Sequence, residues 1–176
     1  MANKQALRDL QTRLAERMQQ VRTESPGVSW LAVNCGGQGM LIVLRQAGEI
    51  SNVGTLLPVP HTRPWMAGVV NLRGGVCTVV DLAAFVGLRD ANHPMLAEHA
   101  RLVAFNSNLG INGALLVDRL EGLRHAADLE RLDDCTDNVQ RPAFAPARWR
   151  DGSGRVWQEI DLAELSRQPQ FLAITG

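Results

Sequence analysis

The stretch Pro64–Leu88, PWMAGVVNLRGGVCTVVDLAAFVGL, decides the reading of this chain. Val69 to Leu72 is an apolar run broken only by Asn71. Gly74-Gly75 can supply positive φ for a tight reversal. Val76, Val79 and Val80 then suit a strand. Asp81 is placed to cap a short helix through Leu82, Ala83, Ala84, Phe85 and Val86, and Gly87 is a candidate C-terminal cap. The stretch is a hairpin feeding a helix, with Arg73 raised beside the turn. It contains no obvious catalyst, so the question is what an arginine on a hairpin tip would serve.

Composition narrows the answer. A length of 176 residues suits one domain, or one domain with an appendage, and a 45% hydrophobic share is enough for a sizeable core. Eighteen basic and eighteen acidic residues balance. No global field therefore favours nucleic acid or an anionic membrane. Cys35, Cys77 and Cys135 are widely spaced and odd in number, which reads as buried free thiols in a reducing compartment. No C-x-x-C spacing offers a metal site, and no cofactor motif is present. Neither an apolar leader nor a run of the roughly 20 apolar residues of a membrane helix is found, so the expected location is cytoplasmic.

Working outward, residues 3–22 read as an amphipathic helix. Leu7, Leu10, Leu14, Met18 and Val21 recur at intervals of three and four, Asn3 can cap it, and Ser25-Pro26-Gly27 stops it. Such a helix either packs on its own domain or is offered to a partner. The expected division is thus 1–26 and 27–176. Val28 to Cys35 and Met40 to Leu44 form a hairpin around Gly36-Gly37. Arg45 to Ile50 is expected to be a short helical segment, and Asn52 to Pro64, with three prolines, an extended loop. Arg101–Asn106 and Ala114–Val117 are two more strands. Asp118 to Arg124 is expected to repeat the strand-to-helix exit, and 126–143 to form a long polar loop. A last hairpin, Trp149-Arg150 with Val156 to Ile160, leads to a helix capped by Asp161, and Pro169 to Ile174 reads as a terminal segment able to form one more strand.

A weak internal repeat runs through this order. Gly74-x-Val76 through Val80-Asp81-Leu82-Ala83 matches Gly154-x-Val156 through Ile160-Asp161-Leu162-Ala163 at an offset of 80. Leu41-Ile42-Val43 with Arg45 matches Leu115-Leu116-Val117 with Arg119. Short strands at this spacing suggest a mostly β chain built as a duplicated small barrel, with a groove between the copies for a partner. The second copy lacks the Asn71-Leu72-Arg73 of the first, which makes those residues, beside Gly68, the better candidates for a partner site.

The run Gly68-Val69-Val70-Asn71-Leu72-Arg73-Gly74, then Val79-Val80-Asp81-Leu82 and Phe85-Val86-Gly87-Leu88, resembles the CheW family of chemosensory adaptors. The likeness covers about residues 28 to 173. Within the family, the leading LRDLQTRLAERMQ helix, the Ser29-Trp30-Leu31-Ala32-Val33 opening and the Trp157–Ala163 ending resemble the PilI branch, which serves type IV pilus twitching motility. The resemblance implies two intertwined five-stranded SH3-like or OB-like barrels in a pseudo-two-fold arrangement, with short helices after the hairpins. It implies no catalysis and two partners: the regulatory domain of a CheA-type histidine kinase, and the cytoplasmic tip of a methyl-accepting chemoreceptor docked in the groove. The positions carried over to the receptor groove are Ala47, Glu49, Gly68, Asn71, Arg73, Leu120 and Leu123. The kinase edge is placed at Met40, Leu41, Ile42 and Val43. The N-terminal helix and the polar last hairpin depart from commoner members.

Each of these residues has a bland alternative. Arg73 could order its own hairpin through Glu49, Gly68 could serve only a bulge, and Leu120 and Leu123 could be plain core. Asp81 and Asp161 read as helix caps rather than paired acids. His61, His93, His99 and His125 are scattered without a neighbouring nucleophile, which argues against an enzyme. A barrel-based nucleic-acid or oligosaccharide binder would want a basic groove with exposed aromatics, against the balanced charge and missing tyrosine. A general flagellar chemotaxis adaptor shares the barrel signature and stands beside the twitching reading.

Overall fold

The structure, a computed structural model, describes residues 28–90, 98–132 and 141–176. The expected helix over 3–22, the boundary at 26/27 and Cys135 lie outside the described residues. Two sheets carry the fold. β1 (Ser29–Cys35) and β2 (Gln38–Val43) form the first hairpin, and β3 (Ala47–Asn52) follows a single 3₁₀ turn at Leu44–Gln46. β4 (Met66–Leu72) and β5 (Gly75–Asp81) make the central hairpin and lead into α1 (Leu82–Phe85). β6 (Arg101–Phe105), β7 (Gly113–Val117), β8 (Arg119–His125) and β9 (Leu129–Leu132) come next. The last hairpin, β10 (Arg148–Asp151) and β11 (Val156–Ile160), precedes α2 (Leu162–Leu165) and α3 (Pro169–Leu172).

The sheet orders are β8-β1-β2-β11-β10-β9 and β3-β6-β7-β5-β4. The first therefore has six strands where five were expected. Setting β1 to β5 against β6, β7, β8, β10 and β11, the two orders correspond strand for strand, with β9 left over. Each sheet takes its first two strands from one repeat and the next three from the other. The seams are the parallel pairs β2–β11 (Ile42 opposite Ile160) and β5–β7 (Val80 opposite Leu115). This is the intertwining that the family resemblance implied.

Alternate side chains of these strands enter different cores. Leu31, Val33, Met40, Ile42, Val80, Val103, Leu115 and Val117 meet in a core shared by both sheets. Their neighbours Trp30, Ala32, Leu41 and Val43 pack with Trp157 on the far face of the first sheet. Val79, Leu102, Ala114 and Leu116 do so on the second. Both faces being buried, these strands read as unbroken apolar runs rather than as alternation.

Four expectations are corrected. Ala47–Asn52 is strand β3 rather than part of a helix, because β6 pairs with it. Arg119–His125 is strand β8, held along β1, and not a helical exit. The stretch after 126 is not loop throughout: a 3₁₀ turn and β9 occupy Ala126–Leu132, the strand being stitched to β10. Pro169–Leu172 is a helix, with Pro169 in its first turn, where a missing N–H costs nothing.

The capping aspartates tie the repeats together. Asp81 accepts from Ala84 N at 3.1 Å and Asp161 from Glu164 N at 3.0 Å. Buried Gln46, just before β3, donates to Asp161 Oδ1 at 3.0 Å and accepts from Leu162 N at 2.8 Å. Asp118 holds the equivalent place before β8. Being a carboxylate it cannot pair directly with Asp81, and Arg89 stands between them at 2.6 Å and 3.1 Å. A neutral amide in one half thus does the work of an acid plus an arginine in the other. Arg89→Ala leaves two carboxylates facing each other, one of them buried, and should cost about 3–5 kcal/mol. Gln46→Ala orphans one N–H and should cost about 1–3 kcal/mol. Chemical denaturation of the two variants checks the order; equal losses would contradict the charge argument.

Candidate receptor groove and hairpin tip

The tip of the central hairpin is tighter than the sequence suggests. Leu72 pairs with Gly75, leaving Arg73-Gly74 as a two-residue loop. Both have positive φ, 50° and 83°, as a type I′ turn requires. The left-handed positions are thus Arg73 and Gly74, and Gly75 already belongs to β5. Asn71 Oδ1 accepts from Gly74 N at 2.9 Å and braces the turn. A left-handed conformation is unfavourable for an arginine by roughly 1–2 kcal/mol. Asparagine or glycine would suit the turn better, so the turn does not explain this side chain.

Arg73 Nε lies 2.6 Å from Glu49 Oε2, with side-chain exposures of 80% and 30%. So open a pair contributes at most about 1 kcal/mol. Its geometry matters more. Glu49 comes closest at Nε, and no hydrogen bond from either terminal nitrogen is found among the described residues, so their forked donors are available.

The second repeat holds a related pair, which sequence reasoning missed because its arginine sits elsewhere in the hairpin. Arg155 grips Glu121 through both terminal nitrogens, at 2.5 Å and 3.1 Å, and lies 4.2 Å over the Trp157 ring. Arg119 and Asn34 add bonds to the same carboxylate at 3.0 Å and 3.3 Å. Here the exposures are 35% and 12%. An Arg–Glu pair is therefore common to both halves. What distinguishes the first half is that its arginine is uncovered and only partly engaged.

Gly68 is a backbone device. It is buried, sits at a bulge in β4 with φ 140°, and a Cβ there would lie 2.4 Å from Leu57 O. Leu57 bonds to Val69 at 2.8 Å and 2.9 Å, laying the proline-rich loop along β4. Ala47 on β3 and Leu120 on β8 come from different sheets yet pack, half-buried, against the same shared core. Leu123 lies farther along β8 opposite Leu31 and is 51% exposed. Its counterpart on β3 is Ile50, opposite Val103 and 40% exposed, which the sequence reading placed in a helix and left out. Both flank the shared core on outermost strands.

Met40 to Val43 is not an edge. β2 is hydrogen-bonded to β1 and β11, and these side chains are at most 5% exposed. The outermost strands are β8 and β9 in one sheet and β3 and β4 in the other.

Burial and nearby Asp118 push the Cys35 thiol far above its usual range, and burial raises Cys77, so neither is a ready nucleophile. Among the described residues no three His, Cys, Asp or Glu gather to hold a metal ion. Nor is any helix among them long and apolar enough to cross a membrane.

Two intertwined sheets from a duplicated unit, with an exposed arginine at one hairpin tip, define a class of duplicated β-domains. The chain belongs to the CheW-like domain family, whose model matches residues 29–170. Among curated proteins, PilI of Pseudomonas aeruginosa is 26% identical over 104 residues, 55% of this chain and 53% of that one. A probable chemotaxis protein CheW of Rhizobium etli is 34% identical over 74 residues, 42% and 46% of the two chains. These matches span about half the length of either relative. The crystal structure of the scaffolding protein TtCheW from Thermoanaerobacter tengcongensis superposes with a TM-score of 0.63 over 77% of this chain and 85% of that one, at 17% identity.

The Arg155 hydrogen bonds, with those from Arg119 and Asn34, hold the Glu121 carboxyl down from 4.5 to about 2 despite its burial. Its folded pKa is depressed, so its stabilisation is present above the unfolded value and is lost as pH falls from about 4.5 towards 2. Glu121→Gln should flatten that part of the curve of unfolding midpoint against pH. An unchanged slope would show that Glu121 is not the group titrating there.

Proposed function

We propose that this protein is a non-enzymatic adaptor that couples a chemoreceptor to a CheA-type histidine kinase, and that it works in type IV pilus twitching motility. Arg73 is the observation that carries the reading: an arginine in an unfavourable backbone conformation, 80% exposed, held only by an open ion pair to Glu49. A helical receptor tip would lie along the rim marked by Ala47, Ile50, Leu120 and Leu123, burying apolar surface. Arg73 would grip a carboxylate or a helix-end carbonyl on it. Glu49 orients Arg73, Asn71 braces the turn, and Gly68 keeps the hairpin and the proline-rich loop in register. The kinase would meet an outermost strand rather than Met40 to Val43. Such work places the protein in the cytoplasm, beneath membrane-bound receptor arrays.

The PilI likeness supports the twitching assignment. The chemotaxis proteins CheW of Rhizobium etli and Rhizobium meliloti, at 34% and 28% identity, favour a second reading as a flagellar chemotaxis adaptor. Retention of kinases from the two kinds of pathway by the purified protein separates them. Retention of neither a kinase nor a receptor tip would sink both.

Arg73→Asn isolates the arginine from the turn. Asparagine suits the left-handed position, so thermal stability should hold or rise. Receptor binding should fall at least about tenfold, as expected for loss of a charge-assisted contact, with kinase binding kept. Titration calorimetry with both partners checks this; full receptor affinity in Arg73→Asn would remove Arg73 from the site.

A further inference from the structure

The four phenylalanines of the chain lie in one cluster, and Trp65 completes it. Phe85 of α1 stands edge-on to Trp65 at 5.2 Å and to Phe171 of α3 at 5.4 Å. Trp65 and Phe171 are stacked at 6.3 Å, and Phe144 and Phe105 close the cluster at 5.9 Å and 5.7 Å. Phe105 and Phe171 are core, but Trp65, Phe85 and Phe144 are only half-buried. A cavity of about 440 Å³ opens over Trp65 and Phe85, walled by Pro169, Gln170 and Ala173 and bounded by Arg63. Its volume is that of a ligand site, and one side is open to solvent.

Arg63 supplies the polar group. Its backbone is pinned, its N–H donating to Ile174 O at 2.8 Å beside the Thr62–Thr175 bridge. Its side chain is exposed and has no carboxylate or carbonyl partner among the described residues. An unpaired guanidinium at the margin of an aromatic-lined cavity suits a group that is apolar at one end and anionic at the other. Leu172, beside Ala173 on the chain and 55% exposed, is apolar surface outside the cavity lining, which fits an extended segment better than a compact small molecule.

We propose that this cavity is a second docking site, separate from Arg73, for a partner protein segment carrying an aromatic side chain next to an acidic one. The aromatic ring seats against Trp65 and Phe85, and the carboxylate pairs with Arg63.

The test is an NMR titration of the full chain with acetyl-Phe-Glu-amide and with acetyl-Phe-Gln-amide. The first peptide should shift the Gln170 and Ala173 amides and one tryptophan indole N–H, the one lost in Trp65→Phe. Binding should weaken about tenfold or more for the glutamine peptide and for Arg63→Gln, the loss expected of a hydrogen bond between charged groups. Arg63→Lys should recover part of it, and Arg73→Asn should bind as the parent does. Ala173→Trp, at an exposed position, should block the cavity without unfolding the chain. Absent shifts, shifts at the Arg73 hairpin instead, or equal binding by Arg63→Gln would overturn the proposal. So would shifts that arise on concentrating the protein alone, which would assign the cavity to a second copy.

Discussion

Strand exchange between the repeats is the constraint on which everything else depends. Neither repeat keeps its own first two strands. The parallel seams β2–β11 and β5–β7 place residues more than 30 positions apart in one ladder. The shared core draws from both sheets at once. Half of such a structure has no core to fold around, so the domain must form cooperatively. The caps reinforce this. Asp161 of the second repeat is held by Gln46 of the first, and Asp81 of the first is held through Arg89 to Asp118 of the second.

Exchange also shapes the surface. Because β3 and β8 are outermost in opposite sheets, Ala47 and Leu120 arrive at one core from two directions. Ile50 and Leu123 extend that apolar surface outwards. The halves then diverge in how they use an Arg–Glu pair. In one, Arg155, Arg119 and Asn34 saturate Glu121 and close the hairpin end over Trp157. In the other, Arg73 meets Glu49 in an open ion pair. The two arginines stand at non-equivalent places in their hairpins, and the pair in the first half is the more exposed. Elsewhere, α3 sets Phe171 against Phe85 of α1, where the aromatic cavity forms.

The central hairpin, both capped helices and the duplicated plan were legible in the chain because each is written in local residues. Asp81 and Asp161 sit three residues before the N–H groups they accept from. The Gly36-Gly37 turn flanks apolar runs, and so does the central turn, which the sequence placed one residue late at Gly74-Gly75. The family signature was legible for the same reason, being one continuous run. Glu49 beside Arg73 was also visible, as the bland alternative for that arginine, and the structure joins the two. Less legible were β3, β8 and β9. Ala47–Asn52 and Arg119–His125 carry polar residues and glycines and have little strand preference of their own. They are strands because β6 and β1 offer them a ladder.

By itself, then, the sequence determined the family, the mostly β class, the duplicated order and the hairpin with Arg73 at its tip, since propensity, capping and turn chemistry act over a few residues. Only the tertiary structure decided that Met40–Val43 is buried inside a sheet and that the Glu121–Arg155 pair repeats the Glu49–Arg73 theme. It also decided that Ile50 holds on β3 the place that Leu123 holds on β8, and that Gly68 is required by the approach of Leu57. Each depends on which distant strand lies alongside, and that is settled by burial of a core common to both repeats, which no short window of the chain contains.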